Sequence, residues 1–322
     1  MDKETLSHYG WIVIISLVLT VMIALATPFG KFVGQAVSNT VRGFAGTAQT
    51  KFDGSDFDAD QFELDYNKDK QEWEGTKSSA TNREAGSVIP DGAKYTVKAT
   101  NTILEGNGTN KFPNTPQTGD TYEEVDYMYK YNQYYNGSSW PTSTSQNGWG
   151  VRVKDTSKTT YGEILSEIAG QPVKNMFYTF YNCISLTTAP TIPSRVTNMY
   201  QTFYNCTSLT TAPTIPNSVT NMTYTFYGCT SLTIPPDMSN ASSVTNMTFT
   251  FGGCTSLATA PTIPNSVTNM WGTFSGCTSL TGTIEVNANP TECYECFKNT
   301  QITGITGSCT QTTKNNLMKT KK

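Results

Sequence analysis

The sequence predicts an α/β solenoid that follows an N-terminal transmembrane helix and a small antiparallel β module. A motif of Val, Met, Phe, Cys and Ser-Leu recurs five times between Val173 and Ile284. The run from Trp11 to Thr27 contains no charge, and residues 88–157 alternate aromatic residues with turn dipeptides. A repeat of this length is typical of solenoids, because each unit must stack on its neighbours to bury its apolar face.

The apolar run, extended to residues 11–30, has about the 20 residues that a membrane-spanning helix needs. We therefore expect a single-pass anchor in a bacterial cell membrane, with the C-terminal part extracellular. A cleaved secretory signal is the alternative: Ala24-Leu25-Ala26 resembles a cleavage site, although the start, Asp2-Lys3-Glu4, is not basic. More basic residues follow the span than precede it, which argues weakly against export of the C-terminal part.

Residues 1–50 are predicted to combine this helix with an amphipathic stalk. Val33, Val37, Val41 and Phe44 recur at the spacing of one helical face. A frayed juxtamembrane segment is the alternative interpretation.

Residues 51–87 are predicted to form an acidic linker. Asp56, Asp58 and Asp60 alternate in a way that suggests a calcium loop. An EF-hand loop that begins at Asp56 needs glycine at its sixth position and glutamate at its twelfth. The chain has Gln61 and Asn67 there, so we predict a solvated linker and no metal site.

Residues 88–157 are predicted to form the small antiparallel β module. Alternating residues and Asn-Gly dipeptides indicate strands joined by tight turns. Its aromatic residues favour a core, and a carbohydrate-binding surface is the alternative. Residues 158–171 follow, where the sequence from Tyr161 to Ile168, ended by Gly170, predicts a short helix that caps the solenoid.

The solenoid is predicted over residues 172–309, followed by a basic tail at 310–322. In one unit, Val196, Met199, Phe203 and Cys206 have the spacing of a helical face. The segment from Leu209 to Pro213 favours a strand. Each repeat should thus add a helical turn to one side and a strand to a parallel sheet on the other. A sixth, degenerate unit around Phe297 closes the stack.

Equivalent residues should form interior columns in the stacked repeats. The phenylalanine column comprises Phe180, Phe203, Phe226, Phe251 and Phe274, and the methionine column comprises Met176, Met199, Met222, Met247 and Met270. The asparagine before each methionine is predicted to form a turn or cap.

Five of the eight cysteines also recur with the repeat, at Cys183, Cys206, Cys229, Cys254 and Cys277. Their successive separations are 23, 23, 25 and 23 residues. We predict a column of buried free thiols, because free cysteine behaves as a small apolar residue. Cys293, Cys296 and Cys309 break the rhythm and could include one disulfide.

Catalysis is not expected, because the only histidine, His8, precedes the membrane span. We predict no cofactor, and a net charge of −3 gives no reason to expect nucleic acid. A glycosidase built on paired carboxylates in the acidic half is the weakest alternative.

The unit V-T-N-M-x-x-T-F-x-x-C-T-S-L-T-x-x-P-x-I-P, over about Pro172 to Thr306, resembles the BspA-like leucine-rich repeats of bacterial surface proteins. The resemblance implies a leucine-rich-repeat solenoid displayed at the cell surface, with adhesion to a host or neighbouring-cell protein or glycan. The N-terminus partly resembles a pilin, which implies a filament subunit as the alternative function. Ile15 departs from this pattern, because type IV pilins place a glutamate there.

The candidate interaction surface comprises Tyr181, Tyr204 and Tyr227, one residue after each phenylalanine, together with Trp271. The alternative is that these rings only decorate a polar face.

Overall fold

The computed structural model describes residues 62–67, 72–77, 82–143 and 147–321. The chain divides into two compact units, Met1–Ser79 and Ala80–Lys322. The predicted membrane span at residues 11–30, its stalk and the pilin-like segment lie outside the described residues. Within the described ranges, no helix combines the length and the apolar character needed to cross a membrane.

The described part of the first unit is an antiparallel pair of strands, β1 (Phe62–Asn67) and β2 (Glu72–Lys77), in which Tyr66 lies opposite Trp73. This differs from the acidic linker predicted at 51–87. Phe62, Leu64 and Tyr66 alternate with polar residues, and this period of two is the pattern of a strand.

The second unit begins with an eight-stranded sheet. Its strands are β3 (Asn82–Arg83), β4 (Lys94–Val97), β5 (Thr102–Glu105), β6 (Thr121–Glu123), β7 (Tyr127–Tyr131), β8 (Trp149–Val153), β9 (Glu167–Ile168) and β10 (Gln171–Asn175). Their order is β3-β9-β10-β8-β7-β6-β4-β5. All pairings among β4 to β8 are antiparallel, as predicted for the β module.

Aromatic residues form the core of this sheet. Tyr95, Tyr122, Tyr129 and Trp149 are fully buried, and the Tyr95 hydroxyl donates to Asp120 Oδ2 at 2.7 Å. The rings meet edge-on or tilted, the arrangement that aromatic pairs prefer. The alternation of aromatic residues in this region therefore indicates a core, as the sequence favoured.

The helix predicted within residues 158–171 is wrong. Residues 161–166 have no regular structure, and β9 follows them. Their backbone bonds to the sheet: Leu165 N–H donates to the Tyr129 hydroxyl at 3.2 Å, and Trp149 Nε1 donates to Ile168 O at 2.9 Å. Gly170, which was predicted to end the helix, instead lies with Ala169 in a left-handed turn between β9 and β10.

The solenoid continues directly from this sheet. Strand β10 pairs in parallel with β8, and the Asn175–Asn198 bridge then joins it to the first full repeat. Parallel bridges carry on through Asn221, Asn246 and Asn269 to Glu292. A second ladder joins Thr188, Thr211 and Ile234 on another side of the stack.

The helical turns predicted for the repeats are wrong, because each segment from methionine to cysteine is a series of tight turns. Phe203 N–H donates to Thr225 O of the next repeat at 2.8 Å, whereas Cys206 N–H bonds back to Phe203 O at 3.2 Å. In an α-helix, each N–H group would instead bond to the carbonyl four residues earlier in the same helix. The spacing of apolar residues is the same in both conformations, which explains the error.

Two left-handed residues in each repeat produce these turns. They lie two and six residues after the methionine position, as Gln201 (φ 51°) and Asn205 (φ 56°) illustrate. The second site holds asparagine or glycine in all repeats, residues that tolerate positive φ. The first site holds Tyr178, Tyr224 and Phe249 in three repeats, although bulky residues rarely adopt this conformation.

The predicted interior columns are confirmed. Every member of the phenylalanine and methionine columns is fully buried. Adjacent phenylalanine rings are stacked with centroids 5.1–5.6 Å apart, and the column extends to Phe297 in the sixth unit. In the second to fifth repeats a buried threonine before the ring donates to a carbonyl of the previous repeat; Thr225 Oγ1, for example, donates to Met199 O at 2.8 Å.

The asparagine prediction is also confirmed. Oδ1 of Asn198 accepts a hydrogen bond from Tyr200 N–H at 3.0 Å. The same bond forms two residues after Asn175, Asn221, Asn246 and Asn269. Each side chain starts the turn that follows it.

The five periodic cysteines form the predicted buried column. Cys206 Sγ donates to Phe180 O at 3.1 Å, and the next three cysteines repeat this contact. All eight cysteines are free thiols, including Cys293, Cys296 and Cys309, where a disulfide was considered.

One repeat is two residues longer than its neighbours, between Cys229 and Cys254. The extra residues do not disturb the columns, because Met222 N–H still bonds to Asn246 O at 2.9 Å. The Phe226 and Phe251 rings remain stacked at 5.6 Å. The added length is accommodated before Val244, in a turn at 239–240 where Ser239 N–H bonds to Asp237 Oδ1 at 2.9 Å.

The C-terminal end, where a basic tail was predicted at 310–322, instead contains a helix that packs on the last strand. Strands β11 (Thr281–Glu285) and β12 (Gln301–Thr306) pair in parallel, and helix α1 (Gln311–Lys319) contacts β12. Thr310 caps the helix by accepting from Thr313 N–H at 3.1 Å. Leu317 is fully buried, and Thr320 Oγ1 accepts from Phe297 N–H at 3.1 Å.

Candidate functional site

The surface of the solenoid above the methionine-to-cysteine turns is covered with aromatic rings in mutual contact. We call this surface the aromatic strip, and it comprises Phe177, Tyr178, Tyr181, Tyr200, Tyr204, Tyr224, Tyr227, Phe249, Trp271 and Tyr294. The strip positions are one, two or five residues after the methionine position of a repeat. Because repeats stack in register, side chains from these positions lie next to each other along the solenoid.

The strip is continuous from the first repeat to the sixth. Phe177 and Tyr200 have ring centroids 5.0 Å apart, and Tyr200 lies 6.3 Å from Tyr224. Tyr224 stacks on Phe249 at 5.3 Å, with the two ring planes 1° apart. Trp271 lies 6.2 Å from Phe249 and 6.3 Å from Tyr294. Most of these rings are half-buried, whereas Trp271 and Tyr294 are 45% and 67% exposed.

Tyr181, Tyr204 and Tyr227 form a stacked column within the strip. Their successive centroids are 5.0 Å apart, with interplanar angles of 16° and 13°. The next position in the column is Gly252, where an added Cβ would lie 2.8 Å from the Tyr227 ring. The ring faces are therefore covered by neighbouring repeats. The edges and hydroxyl groups of the rings remain for contact with solvent or a partner.

The strip is neutral at physiological pH. Burial is the main cause that raises the pKa of Tyr178 to about 12, and the neighbouring Tyr200 adds to it. Burial likewise raises the pKa of Tyr204 and Tyr224. Arg195 and Asp237 are the only charged residues between Asn175 and Ile284. Long-range electrostatic attraction can therefore contribute little to binding at this surface.

The repeat sequence matches the model of one known family. Residues 176–270 and 200–319 match the model of the BspA type leucine rich repeat region, which occurs in 6 copies. The solenoid matches the BspA-type leucine-rich-repeat family. The resemblance predicted from the repeats is thus confirmed for this region.

Three solved structures are similar to part of this chain. The match to a T. pallidum leucine rich repeat protein has 21% sequence identity and a TM-score of 0.37. It covers 54% of this chain and 88% of the T. pallidum chain. A Bacteroides ovatus leucine-rich repeat protein has 18% identity, with 58% and 56% coverage and a TM-score of 0.33. A leucine rich cell surface protein from Faecalibacterium prausnitzii has 20% identity, with 61% and 55% coverage and a TM-score of 0.32. The match therefore spans just over half of the latter two proteins. No curated protein is significantly similar to the chain.

The BspA-type repeats place the candidate residues at two kinds of position. Tyr181, Tyr204 and Tyr227 lie together as a column, whereas Trp271 occupies the position next to a methionine and is outside that column. Phe249 connects the two groups, since its ring lies 6.3 Å from Tyr227 and 6.2 Å from Trp271.

Six of the ten strip residues were not predicted from the sequence: Phe177, Tyr178, Tyr200, Tyr224, Phe249 and Tyr294. Phe177, Tyr200, Trp271 and Tyr294 each follow the methionine position by one residue, and Tyr178, Tyr224 and Phe249 follow it by two. Aligning the BspA-type repeats on methionine shows both sets. Invariant positions define the repeat, whereas the strip occupies variable positions that favour an aromatic residue.

Proposed function

We propose that this chain is a repeat protein displayed at the bacterial cell surface, held by residues 11–30 in the membrane, that binds a partner protein through the aromatic strip. The continuous strip of half-buried rings is the observation that supports the proposal. Tyrosine and tryptophan are enriched among residues that dominate binding energy at protein interfaces. The partner belongs to the host or to a neighbouring cell, and binding amounts to adhesion.

The stacking of the rings favours a protein partner over a glycan. Sugars bind aromatic side chains mainly by lying flat on an exposed ring face. The faces of Tyr181, Tyr204 and Tyr227 are turned toward one another, so the column presents ring edges and hydroxyl groups. Tyrosine hydroxyls suit the carbonyl and amide groups of a polypeptide, and the rings provide apolar contact area at little cost in conformational entropy.

Backbone strain provides a second argument for binding. Tyr178, Tyr224 and Phe249 adopt positive φ, which costs about 1–2 kcal/mol for a residue other than glycine. The equivalent residue in the next repeat is Gly272, so the fold accommodates glycine at this position. Retaining bulky rings in a strained conformation at a surface is more typical of a functional site than of a structural one.

The proposed function includes no catalytic step. The only histidine is His8, and in the described part of the chain no group of acidic, cysteine or histidine residues is arranged to hold a metal ion.

The test is to probe arrays of host and bacterial proteins, and arrays of glycans, with the purified full chain. We expect binding to one or more proteins. The triple variant Tyr181→Ser, Tyr204→Ser, Tyr227→Ser should reduce that binding at least about tenfold, because several interface rings are removed. Binding should also change little between low and high salt, since the strip is neutral.

The matched control is the variant Ile184→Ser, Ile234→Ser. These isoleucines are 57% and 55% exposed and lie in other columns, so the variant removes apolar surface without altering the strip. Equal losses in the strip variant and the control would contradict the proposal. Binding to glycans alone would contradict the choice of a protein partner.

A further inference from the structure

A pocket lies on the outer face of the eight-stranded sheet, and none of its lining residues belongs to the aromatic strip. Thr96, Thr121 and Lys130 are neighbours across strands β4, β6 and β7. Their chain neighbours Tyr95, Tyr122 and Tyr129 are buried in the core, so the alternation of strand side chains directs these three outward. With Lys98, Gln133 and Trp140 they line a pocket of about 440 Å³.

The pocket holds two ammonium groups without a compensating carboxylate. Among the described residues, neither Lys98 nor Lys130 forms an ion pair. The acidic residues next to the pocket already have partners. The Asp120 carboxylate accepts from the Lys98 backbone N–H at 2.8 Å and from the Tyr95 hydroxyl at 2.7 Å. Glu123 lies 3.6 Å from Lys94 and 3.8 Å from Lys154. An anion in this pocket would therefore relieve repulsion and displace no existing partner.

The electrostatics and packing of Lys98 and Lys130 also favour an anion in the pocket. Burial, and then the positive charge of Lys98, lower the pKa of Lys130, and Arg152 adds to the effect, whereas Glu123 opposes it. The stem of Lys98 packs over Gly119, where an added Cβ would lie only 3.1 Å from Lys98 Cγ. Gly119 has φ +91°, so glycine suits both the backbone and the close approach of the lysine.

Trp140 forms an aromatic wall that is held in place. Gln133 Nε2 donates to Trp140 O at 2.8 Å, and the indole lies 5.5 Å from the Tyr135 ring. Lys130 Nζ lies 5.7 Å from the centre of the indole ring, so the cation and the aromatic surface adjoin. The other lining groups are hydroxyls and an amide, which suit a ligand that offers hydroxyl groups of its own.

We propose that this pocket binds an acidic sugar, a pyranose ring with a carboxylate substituent. The carboxylate lies between Lys98 and Lys130, and the ring contacts Trp140 and bonds to the hydroxyls of Thr96 and Thr121. The volume is within the range of small-ligand sites and accommodates one or two sugar rings. This site is independent of the aromatic strip, so either proposal can fail without the other.

The first experiment titrates the full chain with glucuronate, glucose and acetate, using calorimetry or saturation-transfer NMR. We expect glucuronate to bind at least about tenfold more tightly than either of the others, because only it combines the charge with the ring. Glucuronate affinity should fall as salt is raised. Equal affinity for glucose would overturn the role of the lysines, and equal affinity for acetate would overturn the role of the ring. Absence of glucuronate binding would overturn the proposal as a whole.

The second experiment compares lysine variants inside and outside the pocket. Lys98→Met and Lys130→Met should each weaken glucuronate binding about tenfold, as expected for loss of a charge-assisted hydrogen bond. Lys111→Met, a matched change at an exposed lysine outside the pocket, should leave affinity unchanged. If Lys130→Met alters the circular dichroism spectrum, Lys130→Gln replaces it in the comparison, because glutamine removes the charge but keeps a polar end. An equal loss of glucuronate affinity in the Lys111 variant, or no loss in the pocket variants, would overturn the assignment.

Discussion

At the scale of single residues, Phe226 occupies the middle of the phenylalanine column. It is fully buried between the rings of Phe203 and Phe251, with centroid distances of 5.4 and 5.6 Å. Phe226→Ala should lower the free energy of unfolding by about 3–5 kcal/mol, because it leaves a cavity between rigid repeats. Urea denaturation of the full chain measures this loss.

Phe249→Gly is the informative contrast. This change also removes a ring, but it places glycine at a surface position with positive φ, where glycine is not strained. We therefore expect it to lower the free energy of unfolding much less than Phe226→Ala does. Similar losses for both variants would contradict the distinction between interior column and surface strip.

The thiols of the cysteine column should be chemically inert in the folded protein. Burial raises the pKa of Cys183 to about 11 and that of Cys277 to about 12, and thiolates are the reactive form. Iodoacetamide at pH 8 should therefore modify half-buried Cys293 first and reach the column only in denaturant. Peptide mass spectrometry measures this order. Rapid labelling of Cys229 in native protein would contradict it.

The residue types of these columns could be predicted from the sequence because identical side chains recur at one spacing. The roles of Met, Phe, Cys and Asn follow from that spacing and from ordinary side-chain chemistry. The strained rings at Tyr178, Tyr224 and Phe249 could not be predicted, because no sequence rule assigns positive φ to an aromatic residue.

At the scale of elements, α1 closes the C-terminal end of the solenoid. Leu317 is its fully buried residue, packed against the last repeat. Leu317→Ala should reduce the free energy of unfolding by at least about 2 kcal/mol, because it creates a cavity under the cap. Exposed Lys319→Ala is the matched control and should have little effect. Chemical denaturation compares the two; equal stability would show that α1 does not hold the last repeat.

The elements were harder to predict than the columns for physical reasons. The spacing of Val196, Met199, Phe203 and Cys206 suits a helix and a series of tight turns equally well, and hydrogen bonds between repeats decide the outcome. Likewise, residues 161–166 have a helical sequence, but Gly162 N–H bonds to Asp126 in the turn before β7, and Leu165 N–H bonds to Tyr129 in β7. Tertiary contacts overrode local preference in both segments.

At the scale of the whole molecule, buried thiols and tyrosine hydroxyls with raised pKa values should make the folded protein less stable at alkaline pH. Burial raises the pKa of column thiols above the value of 9.0 expected without burial, and also raises the pKa of core Tyr122 and Tyr127. The unfolded chain thus releases these protons first as pH rises. Their contribution to stability is full below about pH 8 and is lost from about pH 9 upward.

Urea midpoints measured at pH 7, 8, 9.5 and 10.5 test this expectation. The midpoint should be similar at the first two values and fall progressively at the others. A midpoint that increases above pH 9 would contradict the direction of these pKa shifts.

The longer repeat between Cys229 and Cys254 has a consequence for how such a protein can change. Its two extra residues lie in a corner turn near Asp237, and the stacked rings on either side keep their contacts. This corner is therefore a place where a foreign peptide could be grafted without disturbing the stack. The same tolerance would allow a lineage to acquire new surface loops one corner at a time while its interior stays constant.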